Sequence, residues 1–183
     1  MMIVTNDPTV QLADYAYHSC IMQATLAQVE QAAVWYHEAQ EVARMVADNM
    51  GIDLIRAACI VAAFSPRERW SVNVRKAIEY SYGNTPSGLS NNVAMADASL
   101  VYGFDALKGL KTNAFARAIA GDPNAVVIDV WMIRAAGMDA SKGVNKSEYN
   151  MLADAVRNIA SEHGLTPRTA QALIWIVKRG SAS

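Results

Sequence analysis

A chain of 183 residues with a formal net charge of −1 is long enough for one domain, or for one with two lobes, and it lacks the overall positive charge that is typical of nucleic-acid binders. Hydrophobic residues make up 52% of the chain, but its longest unbroken apolar run, 57–64, is far shorter than the roughly 20 residues of a membrane-spanning helix. We expect no membrane span, no secretory signal and a cytoplasmic location.

Charge is unevenly distributed along the chain. Residues 1–55 carry seven acids and one arginine, a net charge of −6, whereas residues 56–146 carry eleven lysines and arginines and seven acids, a net charge of +4. The remaining residues contribute +1. Because attraction of a polyanion depends on local charge, this basic centre permits a nucleic-acid partner without demanding one.

Helical spacing of apolar residues dominates the first half of the chain, and the alternation of strands is nearly missing. Asp7 is a candidate cap, with Pro8 at the first helical position. The predicted elements are one broken helix or two successive helices over 9–49, a helix buried all round over 52–64, a helix over 67–82 and a loop over 83–90.

The second half of the chain alternates short helices with clear breaks at glycine and proline. The predicted elements are helices over 91–101 and 111–120 joined through a tight turn at 104–109, an extended segment over 125–128, a helix from Asp129 to 136, and helices over 146–163 and 167–178. The pattern predicts an all-α fold of about nine short helices around one or two cores.

The stretch 104–137 combines the residues that point to chemistry. Lys111 falls in the first turn of its predicted helix, where backbone N–H groups disfavour an ammonium group and so favour the reactive amine. An amine of this kind is the nucleophile of Schiff-base chemistry. Asp129 follows eighteen residues later at the start of the next helix, so we expect one hairpin to aim both groups into a common cleft.

This stretch resembles the helix-hairpin-helix and following loop of the endonuclease III-like DNA glycosylases. The Lys111-Thr112 pair matches the residues that open the helix after the family's hairpin, and Ile128-Asp129 matches the context of its essential aspartate. A second stretch, 62–77, is similar to the helix end, serine-containing turn and following helix of the same family. The hairpin is shortened, because it lacks the family's second glycine, and the chain also resembles small bacteriophage proteins of glycosylase-like type.

The resemblance implies a single glycosylase-like domain over 1–183. In that domain the N-terminal helices cover 1–51, the core with the helix-hairpin-helix covers 52–137, and the C-terminal helices of 138–183 complete the second lobe. It implies that a nucleotide is flipped from DNA, that Asp129 stabilises the cationic sugar or orients the nucleophile, and that Lys111 attacks the sugar. The DNA-binding residues that it implies are Arg67, Arg69, Lys108, Gly109, Thr112 and Arg117.

Two other functions remain open beside a glycosylase with abasic-site lyase activity. The first is a phage enzyme that modifies an activated thymine base, which fits the shortened hairpin and the neutral charge. The second is a non-catalytic domain that binds DNA or a protein partner. A capping role alone also accounts for an aspartate at a helix start, and an exposed position alone accounts for a lysine such as Lys111. The oligomeric state is not indicated by the sequence.

Neither a cofactor nor a metal site is expected. Cys20 and Cys59 lie in apolar helical surroundings and are interpreted as buried free thiols, and two cysteines are too few for an iron–sulfur cluster. His18 and His37 lie in the acidic N-terminal helices without ligand partners at metal spacing, and His163 lies at a helix end. We interpret all three histidines as structural.

Overall fold

The structure, a computed structural model, describes residues 8–88 and 90–180. All regular secondary structure in these ranges is helical, which confirms the all-α prediction. The α-helices are α1 Pro8–Met22, α2 Leu26–Met50, α3 Leu54–Ala63, α4 Trp70–Ser81, α5 Ser90–Tyr102, α6 Leu110–Ala120, α7 Val130–Ala135, α8 Lys146–Glu162 and α9 Pro167–Arg179. Short 3₁₀ helices span Gly103–Ala106 and Ala140–Lys142. No helix in the described ranges combines the length and the apolar character that a membrane crossing requires.

The described chain divides into two compact units. The terminal unit comprises residues 8–36 and 123–180, and the central unit comprises residues 37–122 except the undescribed position 89. One boundary therefore falls inside α2 and the other at the break between α6 and the segment 125–128. The subdivision expected from the sequence placed its boundaries at 51 and 137.

The terminal unit is built on α1, α7, α8 and α9. Tyr17 of α1, Met132 of α7, Leu152 of α8 and Ile174 of α9 are all almost completely buried in one apolar cluster. The Tyr17 hydroxyl donates a hydrogen bond of 3.1 Å to the Met132 carbonyl, so a buried polar atom also joins α1 to α7. These contacts fix the short helix α7, which follows the candidate catalytic aspartate.

The segment 125–128, predicted to be extended, is buried and contains no helix. The described residues form no strand with which its backbone groups could pair, and a buried backbone group left unpaired is costly. The Tyr149 hydroxyl of α8 pairs with two of these backbone groups. It accepts a hydrogen bond from the Ile128 N–H at 3.2 Å and donates one to the Val126 carbonyl at 3.0 Å. One tyrosine thereby fixes the backbone that leads into Asp129.

The central unit surrounds α3, whose residues 57–63 are all buried, together with Phe64 just beyond the helix. Helices α4, α5 and α6 all contact α3, which explains why its residues 57–63 are apolar on every side. Helix α4 begins at Trp70 rather than at Arg67, where the sequence pattern placed its start. The reason is that Arg67 adopts a φ of 64°, a left-handed conformation that an α-helix cannot contain.

The remaining boundaries lie close to those expected from the sequence. Two helices, α1 and α2, occupy the region predicted as one broken helix or two, with α1 beginning at Pro8. The candidate cap at Asp7 lies outside the described residues. The turn between α5 and α6 includes the 3₁₀ helix Gly103–Ala106, and α6 begins at Leu110, one residue before the predicted start.

Candidate active site

Asp129 is the N-cap of α7, and its half-buried carboxylate is held by three N–H donors. Its Oδ1 accepts from the backbone N–H groups of Trp131 at 2.9 Å and Met132 at 3.0 Å. Its Oδ2 accepts from the indole Nε1–H of Trp175 at 2.9 Å. A carboxylate has about four acceptor positions, so roughly one remains for a further donor.

Trp175 lies on α9 and is itself held in place on more than one side. Its ring meets the Trp35 ring edge-on, with 5.7 Å between the ring centroids. The Arg179 guanidinium lies 4.8 Å from the centroid of the Trp175 ring, at the distance of a cation–π contact. The indole donor to Asp129 is therefore fixed by aromatic packing and by a cation rather than free to rotate.

A buried hydrogen bond adjoins this aromatic pair. Tyr36, next to Trp35 in the chain, donates its hydroxyl to Gln171 Oε1 at 2.6 Å, and both side chains are almost fully buried. Burial raises the pKa of Tyr36 far above its ordinary value, so the phenol stays protonated and remains a donor. Arg168 approaches the Tyr36 ring at 5.7 Å. Helix α9 thus supplies Arg168, Gln171 and Trp175 to one side of the site.

Trp131, two residues after Asp129, is half-buried, and the Arg134 guanidinium lies 4.9 Å from the centroid of its ring. Its backbone N–H, rather than its ring, contacts the carboxylate. The aspartate is thus accompanied by the rings of Trp131 and Trp175, each with an arginine against it.

Lys111 lies in the central unit, as the second residue of α6, with an exposed side chain. Gly109 is the N-cap of α6 and has a φ of −75°, a conformation open to any residue. A Cβ atom built there would lie 3.7 Å from Thr112 Oγ1, an ordinary van der Waals separation. In the free protein, neither sterics nor backbone conformation requires a glycine at this position.

The turn before α6 is held by Asn113, a residue that the sequence analysis did not single out. Its Nδ2 donates to the carbonyls of Phe104 at 2.8 Å and Leu107 at 3.2 Å. Its Oδ1 accepts from Arg117 Nε at 2.9 Å, and the Arg117 guanidinium lies 4.4 Å from the Phe104 ring centroid. One side chain therefore ties the 3₁₀ turn to the first two turns of α6.

The predicted DNA-binding cations Arg67, Arg69, Lys108 and Arg117 are all exposed and all lie in the central unit. Arg117 borders an open cavity of about 380 Å³ whose wall includes Phe104. The beginning of α6, in the same unit, contains Gly109, Lys111 and Thr112. Asp129 belongs to the terminal unit. That Lys111 and Asp129 face a common cleft stays a prediction.

Helical spacing along the last helix predicts that Trp175 lies in the core or at a lobe interface, and it indicates no definite role for Gln171. The indole–carboxylate bond joins residues 46 positions apart, and no local spacing rule indicates such a pair. The available signal was compositional, because a tryptophan and a glutamine lie in the run 170–176 of the last helix, which is otherwise composed of alanine, leucine and isoleucine. Buried tryptophans usually have a partner for their N–H group.

A family model described as a family of unknown function (DUF7178) matches residues 7–182. No curated protein and no solved structure matches the chain significantly.

Proposed function

We propose that this chain, which belongs to the DUF7178 family of unknown function, is a DNA glycosylase-like enzyme that breaks the N-glycosidic bond of a flipped-out nucleobase. The observation that carries the proposal is the Asp129 carboxylate, half-buried and held at both oxygens. Capping of α7 uses Oδ1 alone, so the bond from Trp175 to Oδ2 fixes the carboxylate beyond what the helix needs.

The chemistry follows from where charge develops. As the bond between the base and C1′ breaks, the electron pair leaves with the base and the sugar becomes an oxocarbenium-like cation. A fixed carboxylate stabilises that cation more strongly than the neutral ground state, which is the condition for acceleration. A water molecule then adds to C1′ and loses a proton, and the remaining acceptor position of Asp129 suits the orientation of that water.

Lys111 supports a second step under the same proposal. Its exposed amine attacks C1′, and the base departs with the electron pair of the N-glycosidic bond. The nitrogen then loses a proton, and its lone pair forms a C=N bond to C1′ while the C1′–O4′ bond breaks and O4′ takes up a proton, which gives a Schiff base with the opened sugar. That intermediate permits elimination of the 3′ phosphate and therefore strand cleavage at an abasic site. Hydride reduction of the Schiff base would leave the protein covalently attached to DNA.

DNA contact is assigned to the exposed cations of the central unit. Arg67, Arg69, Lys108 and Arg117 would neutralise phosphates, and such contacts position a duplex without reading its sequence. At the start of α6, Gly109 leaves the backbone open to close approach, and Thr112 adds a hydroxyl. Because each neutralised phosphate releases counterions, we expect binding to weaken as the salt concentration rises, with a slope set by the number of these contacts.

The proposal is tested by incubating the protein with duplexes that contain uracil, oxidised bases, alkylated bases or an abasic site. Base release and borohydride trapping are measured for the wild type, Asp129→Asn and Lys111→Ala. Asparagine caps a helix as well as aspartate does, so Asp129→Asn is expected to keep α7 and to lose base release by at least about 100-fold. Lys111→Ala is expected to lose trapping alone.

Asp129→Asn has one foreseeable structural cost, which a second variant controls. Its side-chain nitrogen would face the Trp175 indole N–H, and two donors facing each other cost about 1–3 kcal/mol. Asp129→Asn combined with Trp175→Phe removes that conflict, so it separates loss of charge from loss of stability. Base release that is equal in the wild type and in the double variant would refute a catalytic role for Asp129, as would a wild type that is inert on every duplex.

A further inference from the structure

Two of the three histidines meet at the surface of the terminal unit. His18 on α1 and His163 at the end of α8 place Nδ1 and Nε2 3.3 Å apart, with ring centroids separated by 5.1 Å. The neighbouring Glu162 brings its Oε2 to 3.9 Å from His18 Nδ1. No local spacing rule joins residues 145 positions apart, so this cluster could not be predicted from the chain.

The same cluster includes Asp14, one helical turn before His18. Its Oδ1 is buried and accepts no hydrogen bond. Burial, and then the negative charge of Glu162, raise the pKa of Asp14 above its ordinary value. Two carboxylates close enough to repel each other, beside two imidazoles, are surroundings that a bound cation would stabilise.

The distances suit a tetrahedral metal ion. Two imidazole nitrogens bound at 2.0–2.1 Å to one tetrahedral zinc lie about 3.3–3.4 Å apart, which matches the separation of the two histidines. No three ligand-type side chains of the described residues already enclose a metal position. However, Glu162 is about two-fifths exposed, and a rotation of its side chain that shortens 3.9 Å by roughly half an ångström supplies the third ligand.

We propose that His18, His163 and Glu162 bind a divalent transition metal ion of the zinc type, with Asp14 adding negative charge beside them. Three protein ligands leave one position for water or for Asp14. The ion would join α1 to the end of α8 within the terminal unit, so it would stabilise that unit. The site is independent of the glycosylase-like proposal and uses none of its residues.

The test uses the full chain, stripped of metal with a chelator, and zinc chloride or cobalt chloride as the probe. Calorimetric titration near pH 7.5 should give one zinc per chain, and cobalt should give the intense visible absorption of a tetrahedral site. His18→Ala and His163→Ala should each weaken zinc binding by at least about tenfold, because each removes a ligand. Zinc should raise the unfolding temperature of the wild type and not that of these variants.

His37→Ala is the matched control, because His37 is the third histidine and is exposed on α2. It should bind zinc like the wild type. Glu162→Gln keeps the size of the side chain and should weaken binding, which checks the third ligand without removing either ring. No stoichiometric zinc binding by the wild type, or binding that is unchanged in His18→Ala and His163→Ala, would overturn the proposal. Circular dichroism confirms that each variant is folded before it is titrated.

Discussion

Trp175→Phe tests whether the hold on Asp129 matters for function. The substitution keeps an aromatic ring against Trp35 and Arg179 but removes the indole N–H that donates to Oδ2 at 2.9 Å. The two backbone donors to Oδ1 remain, so α7 keeps its cap. The carboxylate then loses its fixed orientation while keeping its charge.

The size of the effect follows from the type of bond. A hydrogen bond to a charged acceptor contributes about 1.5–3 kcal/mol, and the half-exposed position of both side chains favours the lower end. We expect the free energy of unfolding to fall by about 1.5 kcal/mol, because the lost ring atoms add little at a half-buried site. If the same contribution is lost from the transition state, base release slows roughly tenfold.

The measurements are chemical denaturation, base release under single-turnover conditions and a ¹H–¹⁵N spectrum of the four tryptophan side chains. The rate should fall while the half-saturating DNA concentration stays constant, because Trp175 acts on Asp129 rather than on DNA. Trp131→Phe is the matched control, since it shortens a neighbouring ring but keeps the backbone N–H that holds Oδ1. It should leave the indole signal of Trp175 in place.

Trp175→His offers a rescue, because imidazole is smaller but keeps a ring N–H. A partial return of activity without a return of packing would separate the donor from the ring. If Trp175→Phe lowers stability and the rate stays unchanged, Trp175 has a purely structural role and the reasoning is refuted. An indole signal that is unaffected by Asp129→Ala would refute the hydrogen bond itself.

Four further substitutions or reactions test other parts of the fold. Glu68→Ala removes the partner of the buried Lys76 ammonium and should destabilise the protein by about 3 kcal/mol in urea unfolding, whereas adding Lys76→Met should recover much of the loss. Gly109→Ala should change stability by less than about 0.5 kcal/mol, because space and backbone conformation permit it, but should weaken DNA binding in a filter or anisotropy assay. Burial raises the pKa of the Cys59 thiol to about 12, so it should resist alkylation at pH 8 until the protein unfolds. The pKa of Asp14 is raised in the folded protein, so its ionisation lowers the free energy of unfolding as the pH rises above the pKa of Asp14 in the unfolded chain. Asp14→Asn in metal-free protein should therefore raise the melting temperature at pH 7 and leave it unchanged at pH 3.

The helices were predictable because local rules govern them. Asp129 at the start of α7 and the glycine at 121 after α6 are capping signals, and both end or begin a helix as expected. The predicted start of α4 at Arg67 was wrong because apolar spacing does not reveal a single residue with left-handed backbone conformation. The φ of Arg67 depends on the turn around it. The local sequence pattern therefore predicts the positions of helices well and the conformation of turns poorly.

The contacts that define the candidate site were not predictable in the same way. The pairs Trp175–Asp129, Tyr36–Gln171 and His18–His163 join residues 46, 135 and 145 positions apart. Periodicity shows which face of a helix is buried, but not which residue on another helix meets it. Aspartate as a helix cap could be inferred from the chain, whereas the indole that fixes its second oxygen required the packing of α9.

Asp129 has two explanations, and its two oxygens distinguish them. A helix cap requires one acceptor for the free N–H groups of the first turn, and Oδ1 meets that need through Trp131 and Met132. The contact of Oδ2 with Trp175 adds nothing to the cap, yet it removes the remaining rotational freedom of the carboxylate. A carboxylate held in this way costs no reorganisation when a positive charge forms next to it, which is the requirement for electrostatic catalysis. If Asp129 only caps α7, Trp175→Phe should leave the rate of any reaction of this protein unchanged. If Asp129 is catalytic, Trp175→Phe should lower that rate.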